Sequence, residues 1–89
     1  MNSIILNGEK MITSELCHIY LAEKLDLSEE YASNLDGLWN ELMAISEPTS
    51  IQIVNTEDLL DNLSDYGDEL LQVFEDACSE NPDLDITID

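Results

Sequence analysis

The chain has 89 residues, 44% of them hydrophobic, and sets 2 Lys and Arg against 21 Asp and Glu, so its net charge is 2 − 21 = −19. That length fits one domain over residues 1–89, and the charge excludes nucleic acid and anionic membrane as direct partners, since both repel it. The apolar fraction, arranged in periodic runs, argues against the disorder that so high a charge would otherwise favour.

Ser3-Ile4-Ile5-Leu6 is a short apolar run stopped by the turn signal Asn7-Gly8, and it predicts a first strand. Thr13-Ser14-Glu15 offers an N-cap with an acid in the first turn. Leu16, Ile19, Tyr20 and Leu25 follow at helical spacing, which predicts a helix over 14–25 with those residues on its apolar face. A polar loop, 26–33, leads to Asn34, a cap for a second helix running to about Ala44 with Leu35, Leu38 and Leu42 on one face. Beyond Pro48, Ser50-Ile51-Gln52-Ile53-Val54 alternates and then becomes continuous, as a central strand does. Thr56-Glu57-Asp58 caps a short helix carrying Leu59, Leu60 and Leu63. After Gly67, Leu70, Val73, Phe74 and Ala77 mark a last helix that must stop at Asn81-Pro82, and Leu84–Ile88 closes as an alternating strand.

Strands separated by helical segments require crossover connections. The expected fold is therefore α/β, a small three-stranded parallel sheet packed against about four helices. The N-terminus has no basic region ahead of an apolar run, and no apolar stretch reaches the length of a membrane span. Cys17 and Cys78 lack C-x-x-C spacing and are read as buried, reduced thiols. These features point to the cytoplasm.

At about 100° per residue, Trp39 borders the leucine face of the second helix, while Asp36 and Asn40 lie on its polar side. Trp39 is either a half-buried core residue or an interface anchor. In the last helix Glu69, Gln72, Asp76 and Glu80 form one stripe, which is either a solvated face or a binding surface. The only cations in the chain are Lys10 and Lys24, so nothing basic nearby in sequence neutralises the stripe.

The string Tyr31-Ala32-Ser33-Asn34-Leu35-Asp36-Gly37-Leu38-Trp39 closely resembles the loop-to-helix signature of the barstar family of ribonuclease inhibitors. Leu6-Asn7-Gly8-Glu9, Leu70-Leu71-Gln72-Val73-Phe74 and Asp85-Ile86-Thr87-Ile88 resemble it too, in the same order, so the likeness spans nearly the whole chain. It implies an intracellular immunity protein that inserts its second helix and the preceding loop into the active site of a basic, secreted, barnase-like ribonuclease or a related basic toxin. By matching position the resemblance assigns partner binding to Glu30, Tyr31, Asp36, Trp39, Asn40, Asp76 and Glu80. Two of these depart from the family pattern: Asn40 stands in place of an aspartate and Glu30 in place of a loop tyrosine.

An acidic nucleic-acid mimic, occupying the basic site of some other protein, is the alternative that the charge would also serve. An enzyme is disfavoured. His18 adjoins Cys17, but helix neighbours point about 100° apart and make no nucleophile and base pair. No calcium loop or glycine-rich phosphate loop is present, so no metal or other cofactor is expected. Self-repulsion favours a monomer when the protein is free.

Overall fold

The apolar run of the first strand and the alternation of the other two become a sheet with one buried and one open face. The computed structural model describes residues 2–27 and 31–89. Its strands are β1 (Asn2–Asn7), β2 (Thr49–Val54) and β3 (Leu84–Ile88), and its helices are α1 (Ser14–Lys24), α2 (Leu35–Met43), α3 (Thr56–Leu63) and α4 (Asp65–Glu80), with one turn of 3-10 helix at Gly8–Lys10. The order is β1-β2-β3 and both pairings are parallel, which makes β2 the centre as its apolar run predicts. Across the sheet Ile4 aligns with Ile51 and Ile86, and Leu6 with Ile53 and Ile88. Their neighbours Ile5, Gln52 and Thr87 share the exposed face. A parallel sheet is usually covered on both sides; here one side faces solvent.

The core lies between the inner sheet face and the helices. Leu38 and Leu42 come from α2, Leu59 and Leu63 from α3, and Leu70, Phe74 and Ala77 from α4, joined by Leu6, Ile51 and Ile53 of the sheet. At about 1.5–3 kcal/mol for each large side chain fully buried, this cluster is the main driving force for folding. Among the described residues, no helix is long and apolar enough to cross a membrane.

Four expectations need correction. In α1 the buried residues are Cys17, His18 and Leu21, whereas Leu16 and Ile19 remain 45% and 62% exposed. The helix is apolar on two sides, and the sheet covers the less hydrophobic one. Gly67 does not precede α4 but lies buried in its first turn, where an added Cβ would stand 2.9 Å from Leu59 Cδ2. The break between α3 and α4 falls instead at Ser64, with φ 53°. The residue before α3 is Asn55, left-handed at φ 55°, and its side chain donates to Asn7 Oδ1 at 2.8 Å instead of capping the helix. Cys17 is buried as expected, but Cys78 is only half-buried, its thiol directed at the Leu84 carbonyl at 3.5 Å.

Gly8 is where the chain after β1 meets the start of α3. A Cβ there would stand 2.3 Å from the Asn55 carbonyl oxygen and 2.9 Å from Leu59 Cβ. Because the obstruction is backbone, it cannot swing aside. Gly8→Ala is expected to lower stability by about 2–3 kcal/mol, measured as a shift of the urea midpoint at unchanged m-value.

Candidate partner-binding face

Helix α2 begins where the Asn34 side chain accepts a hydrogen bond from the Gly37 N–H at 2.7 Å, as the sequence predicts. With Leu38 and Leu42 fixed in the core, Asp36 and Asn40 are directed to solvent and both are exposed. Trp39 lies between, half-buried and packed against the core, with part of its ring left accessible. Helix α4 packs beside α2. Its outward stripe carries Glu69, Gln72, Asp76 and Glu80, all exposed, and the Gln72 amide donates to Asp76 Oδ1 at 2.9 Å. Asp36 and Asn40 thus lie on the helix next to the one bearing Asp76 and Glu80.

What holds the two helices in this relation is at their ends. Asn81, just past α4 and 5% exposed, donates both amide hydrogens to the end of α2: to the Leu42 carbonyl in its last turn at 3.0 Å and to the Ile45 carbonyl just beyond it at 2.9 Å. Its own Oδ1 accepts from the Asp83 N–H at 3.0 Å. The Leu42 carbonyl, which also accepts from the Ile45 N–H at 3.3 Å, and the Ile45 carbonyl are thereby tied to the residue that ends α4. The sequence marks Asn81 only as the residue before a helix-stopping proline, and no local pattern tells which carbonyls it serves.

The second tie was not anticipated. His18 of α1 is 2% exposed, and its Nδ1 and Nε2 are hydrogen-bonded to the hydroxyls of Tyr31 and Tyr66. One residue thus joins α1, the segment before α2 and the first turn of α4. Tyr31, expected at the partner surface, is half-buried with its hydroxyl engaged inward, so only the rest of its ring is open to a partner. Glu30 lies outside the described residues.

Burial lowers the His18 pKa below its ordinary 6.5 and raises those of both tyrosines; for Tyr31 the smaller contributions come from Cys17, Tyr66 and Glu41, and for Tyr66 from Cys17 and Glu69. The same burial pushes the Cys17 thiol up to about 12. Both His18 nitrogens are engaged by tyrosine hydroxyls and not by the Cys17 thiol. Among the described residues, no group of three or more His, Cys, Asp or Glu side chains converges to hold a metal ion.

Residues 1–88 match the family described as Barstar (barnase inhibitor). The chain belongs to the barstar family. A relative from Bacillus subtilis (strain 168), named "Putative ribonuclease inhibitor YrdF", is 33% identical over 84 residues, covering 93% of this chain and 92% of its own. The barstar resemblance of the Tyr31–Trp39 string is thereby confirmed at the level of family, and the four-helix, three-strand parallel architecture agrees with it.

A neutral imidazole suits the His18 site, because one hydroxyl can donate to its bare nitrogen while the other accepts from its N–H. Protonation would force both hydroxyls to accept. Since the folded pKa lies below the unfolded one, the unfolded chain takes up more protons, and His18 stabilises the fold fully above about pH 6.5, less as pH falls through the folded value. Stability measured by urea between pH 7.5 and 5.5 should therefore fall with acidification, and His18→Gln should flatten that slope while being less stable at pH 7.5.

Proposed function

We propose that this protein is an inhibitor that occupies the active site of a small, basic, barnase-like ribonuclease, and that it works in the cytoplasm of the cell that makes the enzyme. The observation that carries the reading is that exposed Asp36, with part-exposed Trp39, stands on α2 while exposed Asp76 and Glu80 stand on the adjacent α4, in a member of the barstar family. The printed name of the Bacillus subtilis relative, a ribonuclease inhibitor, supports it.

The chemistry follows from what a ribonuclease must do. A site built of Lys and Arg to hold RNA phosphates accepts carboxylates in the same geometry, bidentate at Arg. Opposite fields steer the two proteins together, which an inhibitor at −19 exploits. Trp39 supplies rigid apolar area at the margin of the charged contacts, and the segment of Glu30 and Tyr31 covers the enzyme surface beside them. The inhibitor acts as a monomer and performs no reaction of its own.

Asp36→Ala and Glu80→Ala are expected to weaken binding to the ribonuclease by about 1–3 kcal/mol each. Glu75→Ala, on the flank of α4 near Cys78, Ile86 and Ile88, should leave it unchanged. Association should slow steeply with ionic strength. Equal losses from Glu75→Ala and Glu80→Ala in titration calorimetry would show that the wrong face has been chosen.

Asn40 lies one turn beyond Asp36 on the solvent side of α2. Aspartate is nearly isosteric with it, so Asn40→Asp changes packing little and replaces a neutral hydrogen bond with a charge-assisted one. Affinity for barnase should rise by about 1–3 kcal/mol. Weaker binding would mean that the enzyme presents an acceptor or an apolar group there, and no change would remove Asn40 from the interface.

A further inference from the structure

Helix α1 has an apolar face that the fold does not use. Leu16 and Ile19 are 45% and 62% exposed on the side away from Cys17 and Leu21, and Ile12, beside the Thr13 cap, is 55% exposed. These are three of the five large hydrophobic residues that stand exposed among the described residues. The outer side of α1 thus leaves the Leu16 and Ile19 side chains open to solvent, and apolar surface left uncovered on a small protein is often functional.

The patch is too small to hold a partner alone, since stable interfaces cover about 800 Å² on each side. A second copy of the chain is opposed as well, because each brings a charge of −19. The patch therefore has to adjoin a larger contact. Ile19 and Glu15 line a cleft of about 290 Å³ together with Ser33 and Tyr66. Ser33 directly precedes Asn34, the cap of α2, so the cleft runs into the face proposed to bind the ribonuclease. The exposed carboxylates of Glu15 and Glu23 flank the apolar residues on the same helix.

We infer that Leu16 and Ile19 extend the ribonuclease-binding face onto α1, where they take an apolar segment of the same enzyme bordered by Lys or Arg. The inference rests on the function proposed above and adds a contact that carries no charge of its own. Apolar area removed from water slows dissociation, whereas charge mainly speeds encounter. The contact is thus visible in one rate constant and silent in the other.

The test uses the whole protein, barnase as the probe and the double variant Leu16→Gln with Ile19→Gln, both at exposed positions. The expected result is dissociation about tenfold faster in stopped flow, with the association rate, its salt dependence and the thermal melt of the free protein unchanged. Wild-type dissociation kinetics in the double variant, with Asp36→Ala still weakening the complex, would overturn this inference and leave the α2–α4 reading intact. No binding of barnase by the wild type would bring down both. A wild-type dimer in sedimentation, lost in the double variant, would make the occupant a second copy and overturn the inference.

Discussion

Helix α2 is only nine residues long, below the roughly 12–15 at which an isolated helix becomes even marginally stable in water, yet it carries Asp36, Trp39 and Asn40. Its shape and position are therefore borrowed from its surroundings. At the start Asn34 caps it, and the preceding segment is tied through Tyr31 to His18 and on to Tyr66. At the end Asn81 takes up the Leu42 and Ile45 carbonyls. These ties come from α1 and from the two ends of α4, so the candidate face exists only once most of the fold has formed.

The arrangement has an electrostatic cost that the core outweighs. Asp76 and Glu80 stand four residues apart on a single helix face, a like-charge spacing that destabilises by about a few tenths of a kcal/mol, and Glu69 adds a further acid along that face. On the opposite sides of α2 and α4, Leu38, Leu42, Leu70 and Phe74 are completely buried, each worth about 1.5–3 kcal/mol. Burial exceeds local repulsion severalfold. A protein can thus keep an unneutralised surface for binding when each helix bearing it is anchored by large side chains on its other side.

Much of this was legible in the sequence because it is periodic. Strand alternation placed Ile51 and Ile53 in the core, and the leucine spacing of α2 oriented Asp36 and Asn40 outward. Periodicity failed at α1, where two apolar stripes compete and hydrophobicity alone favours Leu16 and Ile19 over Cys17, His18 and Leu21. It also misread Gly67 as a helix boundary, because a glycine demanded by close packing against Leu59 looks the same as one demanded by a turn. The polar ties were beyond reach for another reason. His18 meets partners 13 and 48 residues away, and Asn81 meets carbonyls 39 and 36 residues away; such contacts have no local signature.

Cys17 has no exposed surface and a thiol pKa pushed up to about 12. Only the thiolate reacts with alkylating reagents, so this sulfur can be modified only after α1 has lifted from the core and water has reached it. Cys78, half-buried at the edge of β3, becomes accessible through a smaller opening. The two cysteines therefore form a pair of intrinsic clocks, one timing the loss of the whole core and the other the fraying of its rim.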